Sequence, residues 1–284
     1  MTRAGRRPDE AARAARAVVI PALVSLLAAA CSPPLLKLPA GPRVPAADGA
    51  SAIDQATAAC RAISTITLEM SVQGSVGGHR MRGRLSAGLA KPASARLEAV
   101  ASFGQPAFFF VATDANATLF VPRDQRVARG RPEALLEAVA GVPLDAQALR
   151  AVVTGCASMP DASGVQAIGD DWRVAGDGND EIYLRRDRQR PAWQLVTTVR
   201  RGADPSPSLR AGGWRADYSN FDRGLPRTIR LVSVRTGEFD LQLELSQVEL
   251  NTPLGADAFQ LQVPASAEAI SVDELRRSGP LGGK

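Results

Sequence analysis

The feature that most limits what this chain can fold into is a strict two-residue alternation of apolar and polar side chains. It is cleanest from Glu238 to Ser246, where Phe239, Leu241, Leu243 and Leu245 share one face and Glu238, Asp240, Gln242 and Glu244 share the other. Successive side chains of a strand point to opposite faces, so this is β structure with one buried and one wet side. Val248 and Leu250 then change parity, which predicts a bulge near Gln247. The device recurs from His79 to Leu89, where Arg80, Arg82 and Arg84 alternate with Met81, Gly83 and Leu85. It recurs again from Ala95 to Phe103, with Arg96 and Glu98 opposite Leu97 and Ala99. Thr65 to Gln73, Pro106 to Thr113 and Ala117 to Val121 read as further strands, separated by turns at Gly77-Gly78 and Asp114-Ala115-Asn116.

Helical spacing interrupts the strands three times. Ile53, Ala56, Cys60 and Ile63 fall on one face of a helix predicted from Ala52 to about Ser64. Pro132 suits a first helical turn, and Leu135, Leu136 and Val139 make an apolar stripe behind it. After Gly141-Val142-Pro143, Leu144 to Thr154 carries Leu149, Val152 and Val153, and Gly155 is placed to cap it. No repeat of solenoid or propeller length occurs. Residues 51–284 therefore read as a single β-rich domain, and Gly202 to Gly213 as a long loop within it. Residues 32–50, rich in Pro, Ala and Gly, read as a flexible tether before that domain.

The amino terminus sets the compartment. Five arginines precede an uncharged run from Ala17 to Ala30, which ends at Cys31. As a helix that run rises only about 21 Å, short of a hydrocarbon core of roughly 30 Å, so residues 1–30 fit a signal peptide better than a permanent span. Leu27-Ala28-Ala29-Ala30-Cys31 resembles a bacterial lipobox, in which small residues admit the peptidase and the thiol accepts diacylglycerol. Cys31 is then the lipidated first residue; the alternative is an ordinary secretory signal cut near Ala30. Ser32 follows, and in the enterobacterial sorting rule an aspartate there retains a lipoprotein at the inner membrane. Serine favours the periplasmic face of the outer membrane. The whole chain is +5, but residues 1–30 hold five arginines against Asp9 and Glu10, so the remainder is near +2 and gives nucleic-acid binding little support. Cys60 and Cys156 remain; in an oxidising compartment they pair, or else they are two buried thiols.

Catalytic signatures are missing. His79, the single histidine, sits beside Gly77-Gly78 and reads as exposed. There is no GxSxG elbow, HExxH helix, P-loop or CxxC pair, and Asp177-Gly178-Asn179-Asp180-Glu181 falls short of a calcium loop and reads as a polar turn. The reading is a non-enzyme without metal or cofactor.

One longer pattern adds to this. A strand, the loop Phe103-Gly104-Gln105-Pro106, an apolar strand through Phe108 and Phe110, and Thr118-Leu119-Phe120-Val121-Pro122 follow one another. The helix pair Pro132–Ala140 and Leu144–Val153 comes next, then Tyr218-Ser219-Asn220-Phe221 and Leu225-Pro226-Arg227. In this order the chain resembles the LolB type of outer-membrane lipoprotein receptor, within the LolA/LolB superfamily. The resemblance implies an α+β fold: a strongly curved, incompletely closed antiparallel β-barrel with short helices forming a lid. A wide curved sheet leaves an interior that its own side chains do not fill, and each acyl methylene buried there contributes about 0.8 kcal/mol. The residues implied to line it are Leu97, Phe108, Phe110, Leu119, Leu136, Val139, Leu149, Trp193, Phe239, Leu241 and Leu243; the alternative is that these faces form a packed core. Phe103 stands where the receptors carry an exposed leucine, either as an apolar tip for membrane or acyl insertion or as a core residue. The implied partners are acyl chains of lipoproteins or lipids, a periplasmic LolA-like carrier, and the membrane through the lipid anchor. The tail after Asn251 extends beyond the usual receptor end and looks closer to other LolA-like lipoproteins. A lipid or glycolipid carrier of the same fold, or a structural envelope lipoprotein, are the other readings.

Overall fold

The alternating segments build one continuous sheet. The structure, a computed structural model, describes residues 34–100, 106–156, 164–176, 180–186, 189, 191–201, 213–235 and 237–278, at Val100 the backbone alone. Among them are fifteen strands: β1 (Val44–Pro45), β2 (Thr65–Val76), β3 (His79–Ala90), β4 (Ser94–Val100), β5 (Phe108–Thr113), β6 (Asn116–Val121), β7 (Arg126–Gly130), β8 (Gln166–Ile168), β9 (Trp172–Gly176), β10 (Asp180–Arg185), β11 (Gln194–Arg200), β12 (Trp214–Asp222), β13 (Leu225–Ser233), β14 (Phe239–Leu250) and β15 (Glu268–Ile270). Their order is β1-β8-β9-β10-β11-β12-β13-β14-β2-β3-β4-β5-β6-β7-β15. Only β15 on β7 is parallel; every other neighbouring pair is antiparallel. The ends of the order do not meet, so the sheet is curved but unclosed, the expected α+β architecture. Four short helices accompany it: α1 (Gly49–Arg61), α2 (Pro132–Ala140), α3 (Ala146–Thr154) and α4 (Val272–Ser278).

Local chemistry fixes the registers. Gly77 and Gly78 take φ of 56° and 81°, the pair of positive values that a two-residue hairpin twisted like its strands requires. That turn aligns β2 and β3 from Val76 opposite His79 to Thr65 opposite Ala90. Between β14 and β2 the register shifts between Ser246 and Glu249, with Gln247 at φ 50°, so the predicted bulge is present. α2 starts with Pro132 in its first turn and ends in a left-handed Gly141; α3 is capped by Asp145, whose carboxylate accepts from the Ala148 amide at 2.6 Å, and ends in left-handed Gly155.

Most element limits fall within a few residues of the sequence reading; larger departures occur at the first helix, at the carboxy-terminal tail and before the first helix. The first helix runs Gly49–Arg61 rather than Ala52 to Ser64, because the Ser64 amide and hydroxyl donate to the Asn251 side chain at 2.8 and 2.9 Å, which turns the chain into β2. The carboxy-terminal helix α4 was not legible as such. It begins with a reciprocal cap, Ser271 amide to Glu274 carboxylate at 2.8 Å and Glu274 amide to Ser271 Oγ at 3.2 Å, and buries Leu275 completely. The segment read as a tether over residues 32–50 is held to the body from Leu36 onward. The chain divides into residues 1–35 and 36–284. The Leu36 amide donates to Asp217 at 2.8 Å, Arg43 pairs with Glu181 at 2.8 Å, and Val44–Pro45 forms β1. These anchors are main-chain groups and charges, so no apolar period reveals them.

The main core lies on the concave side of the sheet. It joins Leu68, Met70, Leu89, Leu97, Phe110, Leu119, Ile229 and Leu241 of the strands to Ile53 of α1, Leu135 of α2, Val152 and Val153 of α3 and Leu275 of α4. A smaller cluster of Ile168, Val174, Tyr183 and Val199 sits on the convex side, with Leu38 packed against it.

Candidate functional site

Strand parity decides which side chains reach the concave face. Leu97 of β4, Phe108 and Phe110 of β5, Leu119 of β6, Phe239, Leu241 and Leu243 of β14, Leu136 and Val139 of α2, Leu149 of α3, and Trp193 just before β11 all belong to the one concave cluster. None exceeds 8% exposure, so the interior these eleven residues share is filled by one another and by the helices. Trp193 is further committed, with the guanidinium groups of Arg173 and Arg186 at 4.6 and 4.5 Å from its ring centre. Cys31 and Phe103 lie outside the described residues.

The helices are tied as well as packed. Cys60, in the last turn of α1, is joined to Cys156, just beyond the cap of α3, with their Cα atoms 5.5 Å apart. The carboxy-terminal end of α3 is therefore fixed to α1. Its amino-terminal end is held by the Asp145 cap and by packing.

The convex side carries a polar ladder. Glu181, 4% exposed, accepts hydrogen bonds from Arg43 (2.8 Å), Arg201 (2.7 Å) and Tyr183 (2.9 Å). Burial works to raise its pKa, and the three donors together outweigh that and leave it lowered. Asp217 accepts from Thr197 at 2.9 Å, from Arg215 at 2.7 and 2.9 Å, and from the Leu36 amide. Arg215 also donates to the Leu36 carbonyl. The two carboxylates of this ladder accept from the strap, from neighbouring strands and from their own strands, so they clamp the strap to the sheet.

One cavity opens on the concave side, where the amino-terminal half of α3 meets β10, β11 and β12. It encloses about 140 Å³ and is bordered by Asp145, Ala148 and Val152 on the helix and by Ile182, Thr198, Arg200, Trp214 and Tyr218 on the wall, with Asp180 at the edge. Arg200 donates to Asp180 at 3.3 Å and lies over the Trp214 ring at 5.5 Å. The Thr198 and Tyr218 hydroxyls are buried and neither has a partner at good hydrogen-bond geometry, although Thr198 is close enough to act on the Tyr218 phenol as a hydrogen-bond donor. Burial raises the Tyr218 phenol far above its ordinary pKa, so it stays protonated. A second cavity, about 380 Å³, lies on the convex side beneath the tail, between Arg96, Glu98, Glu249, Leu254 and Phe259. Neither cavity is lined by any of the eleven residues named from sequence. The sequence reading missed the first cavity, although the parity of Trp214, Ala216 and Tyr218 against Arg215 and Asp217 carried a signal for its wall. Among the described residues no group of side chains is arranged to hold a metal ion, and no helix is long and apolar enough to cross a membrane.

Fold and site together define an unclosed, helix-filled half-barrel with an apolar interior and a small polar cavity at the seam between a helix and the wall. No family model matches the chain, and no curated protein matches it. Among solved structures it is similar to a LolA superfamily protein from Nitrosomonas europaea, at 14% identity over 75% of this chain and 97% of that one, TM-score 0.49. A DUF1329 family protein from Desulfovibrio piger follows at 10% identity, 74% and 96% coverage and TM-score 0.46. The Mycobacterium tuberculosis lipoprotein LppX is similar at 14% identity, 74% and 98% coverage and TM-score 0.32. Likeness at this level says nothing about what the chain binds.

Proposed function

We propose that this is a non-catalytic envelope lipoprotein that takes acyl chains into its concave interior. In this reading residues 1–30 are removed as a signal peptide, Cys31 carries the lipid, and the body stands on the periplasmic face of the outer membrane. There it receives acylated cargo, lipoproteins above all, from a soluble carrier. The observation that carries the binding step is the way the apolar wall is covered. Its concave face is covered by the short helices α1 to α4 rather than by a second sheet, and helices that lie across a wall can shift without breaking strand pairing. Opening is required, because the eleven residues that would contact a chain are packed shut. That same packing favours a second reading, a structural lipoprotein with an ordinary core.

Mass spectrometry of organic extracts from the purified protein separates the two. Co-purifying acylated material is expected; clean extracts from protein taken directly from the envelope would leave the structural reading standing. Cys31→Ala is expected to abolish acyl labelling and move the protein out of the membrane fraction, and unchanged labelling would sink the anchor. Phe103 is the proposed insertion tip. Phe103→Glu should keep the thermal midpoint and lose delivery of cargo to membranes; a large drop in the midpoint would instead mark a buried residue, whose unpaired charge is costly.

A further inference from the structure

The cavity under α3 has a chemistry that the surrounding core does not need. Thr198 and Tyr218 are 7% and 4% exposed, and neither hydroxyl has a partner at good hydrogen-bond geometry. Burying an unpaired hydroxyl costs stability, and valine and phenylalanine would fill the same space without that cost. Both residues border the cavity, and Thr198 lies close enough to act on the Tyr218 phenol. The raised pKa of Tyr218 keeps its proton in place across the physiological range. The cavity therefore presents donors to an acceptor.

The charges at its border narrow the class of acceptor. Among the described residues the border carries Asp145 and Asp180 against one cation, Arg200, and both carboxylates are engaged, one by the Ala148 amide and the other by Arg200. A carboxylate or phosphate would enter a lining with excess negative charge, whereas a neutral carbonyl meets no such repulsion. Ile182, Ala148, Val152 and the Trp214 ring supply apolar surface beside the donors. The position, where a lid helix meets the wall of the apolar interior, is where the polar end of a chain threaded inward would rest.

We propose that this cavity is a binding subsite for the ester or amide carbonyl at the head of an acylated ligand, with the Thr198 and Tyr218 hydroxyls as its donors. It rests on the acyl-binding reading and deepens it: the cargo is an acyl ester or amide, as in a diacylglyceryl or N-acylated group, and not a free fatty acid.

Equilibrium dialysis of the full chain against radiolabelled 1-monolauroylglycerol, laurate and dodecane tests this, alongside Thr198→Val, Tyr218→Phe and the double variant. The ester is expected to bind about tenfold or more above laurate, and each substitution to weaken the ester by roughly fivefold. Dodecane should be unaffected by either substitution, and the melting temperature should stay level or rise, since an unpaired buried hydroxyl has been removed. Equal affinity for the ester in the double variant, an equal loss for dodecane, or a preference for laurate would overturn the subsite while leaving the acyl-binding reading intact. Failure of the unsubstituted chain to bind all three would overturn both.

Discussion

Glu181 shows how a single side chain links the strap to the sheet. It is one of few carboxylates buried in the described structure, and it holds Arg43 of the strap and Arg201 of the strand end at once. Because its folded pKa is lowered, the stability it contributes is complete above the ordinary carboxylate pKa and is lost as pH falls through the folded value. Glu181→Gln should therefore lower the melting temperature most at neutral pH, and the difference from wild type should shrink below about pH 4. A difference that stays constant down to pH 3 would show that the carboxylate charge is irrelevant. Arg43→Ala should raise hydrogen exchange along Leu36–Arg43 more than in β10, since it removes only one of Glu181's three donors. From sequence Asp177–Glu181 reads as an exposed polar turn. Glu181 instead points to the convex face beside Tyr183, and what buries it is a strap 138 residues away in the chain.

At the scale of elements, the tie between α1 and α3 and the tail helix α4 carry the most consequence. The Cys60–Cys156 bond closes a loop of 96 residues in sequence separation. Crosslinks of this length contribute about 4 kcal/mol in the chain-entropy account, and measured values range down to zero. Reduction should lower the melting temperature and increase exchange first in α3, whose carboxy-terminal end would be released. If reduction leaves α3 as protected as before, packing alone holds it. Leu275 of α4 is completely buried against the concave core, so Leu275→Ala should cost about 2–5 kcal/mol in chemical denaturation. A cost near zero would mean that α4 is peripheral to the fold. The periods of α2 and α3 and their glycine ends are plain in the sequence. α4 is only seven residues long and offers one buried leucine, too little for a periodic signal.

At the scale of the whole molecule, the open sheet has two edges among the described residues, and each ends in a very short strand. β1 has two residues and pairs with β8; β15 has three and pairs with β7. Short terminal strands leave few unpaired backbone groups for another chain to join. The opening motion that the acyl-binding reading requires is displacement of the helices from the concave wall, which leaves the strand pairing intact. Under the acyl-binding reading, a bound acyl ester should increase hydrogen exchange in α2 and α3 while β2, β3 and β14 remain protected. Uniform protection of helices and strands on addition of ligand would contradict that picture.

What is local can be read along the chain: alternation assigns the strands and their two faces, Gly77-Gly78 the hairpin, the parity change the bulge at Gln247, and proline and glycine the limits of α2 and α3. Those signals act between near neighbours, so they survive in a linear reading. Parity also assigns Leu97, Phe108, Phe110, Leu119, Phe239, Leu241 and Leu243 to the apolar faces of their strands, while Leu136, Val139 and Leu149 follow from helical spacing. Long-range contacts are what pack these residues shut, bind the strap from Leu36 to the convex face, and bury the Thr198 and Tyr218 hydroxyls beside each other under α3. Each of those depends on which distant segment lies against a face, and burial, pairing and cavity volume are properties of that contact rather than of either sequence segment.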